Sequence, residues 1–313
     1  MKIYHDIQSH ISIKNAVVTT GSFDGVHLGH KMILNRLISS AHEHTGESVL
    51  ITFHPHPRKV LFPDTSGKTL RLINSQKEKI TLLSKTGLQN LIIIPFSLAF
   101  SEISSVDFIR TILVGKLKVR KVITGFNHHF GHNREGNFEY LFELGRYYGF
   151  EVEEIPRQEV DKETVSSTKI REALLAGRIQ RANAYLDNFY LIIGNLTLSP
   201  GWITHQSFQI YRLQITEDVK LIPPEGVYAV SVSASEKQFK GMLNIKHTVL
   251  SEIPVATQAL IEMHLFDCDC ALNGKEVSVY FHKRMRDELN FKSENELLSQ
   301  IMIDKAEIEQ LIF

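Results

Sequence analysis

The sequence predicts an α/β fold in two parts: a doubly wound parallel sheet over residues 1–186, then a small antiparallel β-barrel with a C-terminal helix over residues 187–313. Three observations predict it. Apolar, strand-like runs alternate with helical patterns up to about residue 186, and such a βα rhythm builds a parallel sheet covered by helices on both faces. Beyond about residue 190 the helical periodicity gives way to short, closely spaced β-rich runs, the pattern of a small barrel. A Gly-rich stretch, Gly21-Ser22-Phe23-Asp24-Gly25-Val26-His27-Leu28-Gly29-His30, joins an apolar run to a helix start. In doubly wound sheets such junctions lie at the carboxyl ends of the strands, where ligands bind.

Each element has its own signal. Ala16-Val17-Val18-Thr19-Thr20 reads as a buried strand. In the helix that follows, Ile33, Leu37 and Ala41 share one face, with Leu34 and Ile38 beside it. Residues 48–53 form a strand. Ser75-Gln76-Lys77-Glu78 has capping-box spacing and opens a helix running to Gly87. Residues 91–96 are a strand, 106–114 a helix, 121–124 a strand ending at Gly125, 138–148 a helix and 151–155 a strand. In the second part the expected strands are 191–198, 209–215, 226–233, 240–245, 259–266 and 276–281. Pro223-Pro224-Glu225-Gly226 is a turn between two of them. Ser293-Glu294-Asn295-Glu296 repeats the capping-box spacing and starts a last helix through Leu311.

Composition narrows the function classes. Hydrophobic residues make up 43% of the 313, enough for two ordinary cores. Lys and Arg total 35, and so do Asp and Glu, so no global basic field recruits nucleic acid. The apolar run 91–94 is too short for a membrane span. The start Met1-Lys2-Ile3-Tyr4-His5-Asp6 lacks the apolar region of a signal peptide. Cys268 and Cys270 are too close for a structural disulfide and have no partner cysteines for zinc. A reduced, cytoplasmic compartment is expected, with neither membrane nor nucleic acid as a partner.

The chemistry concentrates in four segments. At the 21–30 junction, free backbone N–H groups and the positive end of a helix make an anion site. Gly25 and Gly29 let the backbone approach a phosphate, and His27 and His30 add donors where charge grows on it. The competing reading is a helix start whose histidines only cap and pack. In Phe53-His54-Pro55-His56-Pro57-Arg58, the prolines are expected to hold the loop extended, Phe53 to stack on a flat ring and Arg58 to pair with a phosphate. Gly125-Phe126-Asn127-His128-His129-Phe130-Gly131, continued by Asn133-Arg134-Glu135-Gly136, offers Asn127 to a nucleobase or isoalloxazine edge. His128, His129 and His132 raise the question of a transition metal, but phosphate chemistry at such a site needs only hard Mg²⁺ and no transition metal is expected. Ser166-Ser167-Thr168-Lys169-Ile170-Arg171 opens a helix with hydroxyls at its cap and Arg171 one turn along, which suits an anion.

The His-x-Gly-His element resembles the signature of the adenylyltransferase superfamily. Taken together the four segments resemble the bacterial bifunctional riboflavin kinase/FMN adenylyltransferase (FAD synthetase) family. That family carries Gly-x-Phe-Asp-Gly-Val-His-x-Gly-His, Thr-Phe-x-Pro-His-Pro, Gly-x-(Asp/Asn)-x-x-Phe-Gly and Ser-Ser-Thr-x-Ile-Arg, and all four occur here in order. Ser22 stands where the family usually has Asn. The resemblance spans essentially the whole chain. It implies a Rossmann-like nucleotidyltransferase domain followed by a riboflavin-kinase-like barrel.

For the first domain it implies ATP and FMN as substrates, FAD as product and Mg²⁺ accompanying ATP, with no separate metal site. His27, His30 and Arg171 would act on the phosphates. Gly21, Phe23, Asp24, Gly29, Phe53, Arg58, Asn127, Ser166, Ser167 and Thr168 would bind nucleotide and flavin. For the barrel it implies Glu262, in Ile261-Glu262-Met263-His264, as the base that accepts the ribityl hydroxyl proton. The family's Gly-Phe-Pro-Thr-Ala-Asn-Leu, however, aligns with Ser207-Phe208-Gln209-Ile210-Tyr211-Arg212-Leu213. Ile210 offers no oxygen, and Arg212 brings a positive charge where a cation should bind. The expectation is adenylyl transfer from ATP to FMN with an impaired kinase. Its alternatives are a fully bifunctional enzyme, a non-catalytic flavin or nucleotide sensor, and an adenylyltransferase for another phosphate acceptor.

Overall fold

Six strands of the first part lie in one sheet in the order β1-β4-β3-β2-β5-β6, and every neighbouring pair is parallel. The computed structural model describes residues 1–7, 12–126, 129–156, 159–160, 163–199, 209–234, 237–249, 257–268 and 271–312. The elements are β1 (Lys2–Tyr4), β2 (Val17–Thr20), α1 (Leu28–Glu43), β3 (Ser48–His54), α2 (Pro57–Leu61), α3 (Gln76–Ser84), β4 (Asn90–Pro95), α4 (Leu98–Ser101), α5 (Ser105–Asp107), a π-helical segment (Phe108–Lys116), β5 (Lys121–Gly125), α6 (Phe138–Tyr148), β6 (Glu151–Ile155) and the small hairpin of β7 (Glu159–Val160) and β8 (Glu163–Thr164). Then follow α7 (Ser167–Leu175), α8 (Ile179–Leu186), β9 (Tyr190–Leu198), β10 (Ile210–Gln214), β11 (Gly226–Ala234), β12 (Lys237–Val249), β13 (Thr257–Leu265), β14 (Glu276–Arg286) and α9 (Glu294–Leu311). Two units emerge: Met1–Arg71 with Lys79–Ser166, and Leu72–Glu78 with Ser167–Phe313.

Successive strand residues point to opposite faces, and the first unit uses both. Val18, Val49, Ile51, Ile92, Ile94 and Val122 pack with Phe108, Ile109, Ile112 and Leu113 of the π-helical segment and Leu141 of α6. Val17, Leu50, Leu91, Ile93 and Ile123 pack with Leu34, Leu37 and Ala41 of α1 and Leu83 of α3. The sheet is therefore doubly wound, as the sequence predicts. Two details differ. The helix expected over 106–114 is a short α5 that widens into a π-helical segment, and its buried residues recur at spacings of three and four that do not distinguish the two. Strand β1 was not expected, because it is three partly exposed residues recruited to the sheet edge by backbone pairing with β4.

In the second unit six antiparallel strands close into a barrel in the order β10-β13-β12-β11-β14-β9. Helix α9 buries Ile301 and Ile308 against Val227, Ala229, Met242 and Phe266. Asp304 on the same helix takes a two-pronged contact from Arg286, at 3.1 Å from Nε and 2.7 Å from Nη2.

The capping box forms as expected: the Ser75 N–H donates to Glu78 Oε2 at 2.8 Å and the Glu78 N–H to Ser75 Oγ at 3.2 Å. Glu78 does more than cap. Its side chain and that of Lys220 are both 0% exposed and lie 2.6 Å apart. Lys220 Nζ also donates to the Ile73 and Leu191 carbonyls at 2.6 and 2.7 Å and stands 4.3 Å over the Tyr190 ring. Glu78 Oε1 accepts the Ile193 N–H at 2.8 Å. The 72–78 segment is thereby laced to β9 and to Lys220. Removing one partner of such a pair costs about 3–5 kcal/mol, whereas losing a cap costs about 1 kcal/mol. Glu78→Ala is therefore expected to lower the thermal midpoint of the full chain several-fold more than Ser75→Ala, as read by circular dichroism. Equal shifts would reduce Glu78 to a cap.

Candidate active site

Strand order locates the site. From β2 the chain builds outward through β3 and β4 on one side, then returns to add β5 and β6 on the other. In open α/β sheets such a reversal is where ligands bind, beyond the carboxyl ends of the strands, here β2 and β5. The 21–30 turn leaves β2, the 125–136 loop leaves β5, and the 53–58 segment ends β3.

The turn after β2 is strained. Phe23 (φ 49°), Gly25 (φ 95°) and Val26 (φ 42°) all lie in the left-handed region. Gly25 accepts this freely, but Phe23 and the β-branched Val26 do not, at about 1–3 kcal/mol each. Several contacts hold the shape. The Gly21 N–H donates to Ile51 O at 3.0 Å and the Val26 N–H to Phe23 O at 3.3 Å. Ser22 O accepts from Thr52 Oγ1 and from Lys79 Nζ, each at 3.2 Å. Asp24 is buried in the same turn. A Cβ on Gly29 would stand 3.3 Å from His27 Cε1, so glycine there lets the ring lie against the backbone.

Three rings stack at the start of α1. His30 lies between His27 (centroids 3.6 Å apart, planes at 15°) and Phe23 (4.5 Å, 26°). His27 caps the helix, its Nδ1 accepting the His30 N–H at 3.4 Å, which leaves Nε2 as its protonated nitrogen. His30 Nδ1 is buried and has no hydrogen-bond partner. Burial first, then the neighbouring His27 and Lys79, push the His30 pKa well below the usual 6.5. The first turn of α1 holds no acidic residue to compete with an anion. Capping and packing are thus real, and they leave a neutral imidazole with an unused nitrogen at the N-terminus of α1.

The remaining predicted residues are distributed as follows. Phe53 contacts Phe96 edge-on at 5.7 Å and Phe100 at 5.9 Å, so its ring already packs in an aromatic cluster. The 53–58 segment is not wholly extended. Pro57 takes the first position of α2, where its missing N–H costs nothing, and His56 Nδ1 caps that helix by accepting the Arg58 N–H at 3.2 Å. Arg58 is exposed on α2. Asn127 and His128 lie outside the described residues. The rest of the β5 loop is tied down. Phe130 and Gly136 pair, Glu135 Oε1 accepts from Ser105 N–H at 2.7 Å and Ser105 Oγ at 3.0 Å, and His132 Nδ1 contacts Ser101 O at 3.1 Å. The Ser105 bonds lower the Glu135 pKa. Ser166 closes the first unit, while Ser167, Thr168 and Arg171 open α7 of the second. Among the described residues no group of three or more His, Cys, Asp and Glu is placed to hold a metal ion.

Sequence reasoning missed Lys79, which is buried and donates to Ser22 O and Thr52 Oγ1. The available signal was its position four residues before the fully buried Leu83, on the inward face of α3.

On the barrel, Arg212, Glu262 and Asn244 stand on one rung across β10, β13 and β12. Ser199 Oγ donates to Glu262 Oε1 at 2.6 Å, and Arg212 Nη2 lies 3.9 Å from the same oxygen. Arg212 Nε and Asn244 Oδ1 are buried without partners. Glu262, Asn244 and Ser199 are oxygen donors of the kind Mg²⁺ takes, while Ile210 and Arg212 are not.

Comparison with known proteins defines the class first. A FAD synthetase family model matches residues 10–169 and a riboflavin kinase family model residues 209–312. A bifunctional riboflavin kinase/FMN adenylyltransferase of Buchnera aphidicola subsp. Schizaphis graminum is 33% identical over 294 residues, covering 93% of this chain and 92% of that one. The Bacillus subtilis enzyme of the same description is 31% identical, covering 98% and 97%. The chain belongs to the bifunctional riboflavin kinase/FMN adenylyltransferase family. A crystal structure described as a macrolide-efflux protein from Streptococcus pneumoniae aligns with TM-score 0.86 and 25% identity over 97% of both chains. Among the described residues of the present chain no helix is long and apolar enough to cross a membrane.

The His30 environment has a measurable consequence. In ¹⁵N-histidine NMR its ring is expected to stay neutral as pH falls from 7.5 to about 6, where an ordinary histidine is largely protonated. The linked stability is fully present above 6.5 and is lost as pH falls from 6.5 toward the lower folded value, because the unfolded chain binds the proton first. A normal titration near 6.5 would show that stacking between Phe23 and His27 does not desolvate this ring.

Proposed function

We propose that residues 1–186 transfer the adenylyl group of ATP to FMN and that residues 187–313 phosphorylate riboflavin to FMN. The observation that carries the first activity is the neutral His30, stacked between Phe23 and His27 at the N-terminus of α1 with Nδ1 unpartnered. Such a cluster of donors is suited to charge developing on a phosphate. An FMN phosphate oxygen attacks the α-phosphorus of ATP in line. The bond from that phosphorus to the bridging oxygen breaks, and pyrophosphate leaves. His27, His30 and the α1 N–H groups stabilise charge on the α-phosphate and the leaving group, so neither histidine needs to carry a proton across. Ser166, Ser167, Thr168 and Arg171 are assigned to the triphosphate, with Arg58 a further phosphate partner. Phe53 and Asn127 are assigned to the flavin. When bound with ATP, Mg²⁺ supplies neutralisation of the phosphate oxygens. The chain's need for ATP suits the cytoplasm, where ATP is made available.

For the barrel, whole-length similarity to bifunctional relatives and the retained Glu262 support an active kinase over the impaired one expected from the sequence. The impaired reading keeps one observation in its favour, the Arg212 guanidinium beside the Glu262 carboxylate.

Flavin chromatography after incubation with Mg²⁺ and ATP separates the readings. FMN supplied as substrate is expected to yield FAD, and riboflavin to yield FMN and FAD. Riboflavin left unchanged while FMN is converted would establish the impaired barrel. No FAD from FMN would sink adenylyl transfer and favour the sensor or another acceptor. His30→Ala is expected to lower kcat about 100-fold or more while the Kd for FMN moves less than about threefold. Equal losses would argue against a transition-state role.

A further inference from the structure

Lys79 is 7% exposed, and a buried ammonium carries a desolvation cost that the fold must offset. Its Nζ donates to Ser22 O and Thr52 Oγ1, each at 3.2 Å, and Thr52 Oγ1 donates to the same Ser22 carbonyl at 3.2 Å. Ser22 begins the strained turn that ends in the His27 cap, so the ammonium grips the turn at its base.

We propose that Lys79 is a positioning residue for adenylyl transfer: it holds the Ser22 carbonyl, and with it the turn that presents the α1 N-terminus, and its charge favours the ATP triphosphate there. The inference rests on the adenylyltransferase reading above. Geometry alone does not require a charge, since the Thr52 hydroxyl already satisfies the carbonyl. The ammonium sits 3.2 Å from Ser22 O, at the base of the turn that carries Phe23 and His27, and from there it also disfavours protonation of His30. An ammonium fixed beside a neutral imidazole offers positive charge to an incoming polyanion without a second cation opposing it.

A purely structural lysine and a charge-supplying one respond differently to substitution. Lys79→Arg keeps the charge, Lys79→Gln keeps a donor without charge, and Lys79→Met keeps neither. Steady-state kinetics of FAD formation by the full chain, with thermal midpoints measured alongside, separate them. Lys79→Met is expected to lower kcat/KM for ATP about 100-fold while KM for FMN changes less than about threefold. Lys79→Arg is expected to recover about tenfold or more of that loss, and Lys79→Gln to recover little. If Lys79→Met does not fold, the Arg–Gln comparison decides alone. Gln and Arg variants of equal activity would overturn the assignment of Lys79 and leave adenylyl transfer standing. A wild-type chain that makes no FAD from FMN would overturn both.

Discussion

One carbonyl oxygen carries the candidate active site. Ser22 O takes a hydroxyl from β3 and an ammonium from α3, and the turn hanging from it adopts left-handed backbone at Phe23 and Val26, where side chains resist it. That shape persists because both side chains are buried, each 3% exposed, and burial of that kind contributes about 1.5–3 kcal/mol per side chain, comparable with the strain. The burial is also what builds the site: Phe23, turned inward by its backbone, becomes the platform on which His30 stacks.

Charge is arranged locally here, since the chain as a whole carries none to spare. A net charge of zero provides no long-range attraction for a nucleotide. Attraction therefore falls to short-range features: the positive end of a 16-residue helix with no acid in its first turn, a buried lysine and ring N–H donors. A neutral His30 suits this arrangement. It donates without adding a second cation beside Lys79, whose repulsion would weigh on the empty site.

The fold was legible because both of its signals are periodic. The alternation of strands and helices prescribed a parallel sheet, and the two capping boxes at Ser75 and Ser293 marked real helix starts. Motif spacing brought the 21–30, 53–58 and 125–136 segments to one edge of that sheet. What escaped depends on partners rather than on pattern. Strand β1 exists through pairing with β4, and Pro57 begins a helix because His56 caps it. Lys79 and Lys220 look like solvated lysines in one dimension; only packing shows that each stem is covered and each ammonium bonded.

The barrel sets two principles against each other. Loss of an oxygen ligand at Ile210 and arrival of a guanidinium at Arg212 speak against a metal bound in the family's manner. Phosphoryl transfer, however, asks chiefly for positioning and for neutralisation of charge on the transferred group, and a guanidinium supplies both when it faces the phosphate. In this structure Arg212 faces Glu262 at 3.9 Å, a separation too long for a direct hydrogen bond, and its Nε has no partner. Arg212 is thus held loosely by the Glu262 carboxylate it neighbours, with donor capacity unspent at Nε. A nucleotide phosphate competing for that guanidinium would at the same time leave the Glu262 carboxylate to the Ser199 hydroxyl and the substrate. The substitution that looks like a loss in sequence therefore leaves the barrel with a guanidinium, a carboxylate and an unfilled acceptor at Asn244 on a single rung.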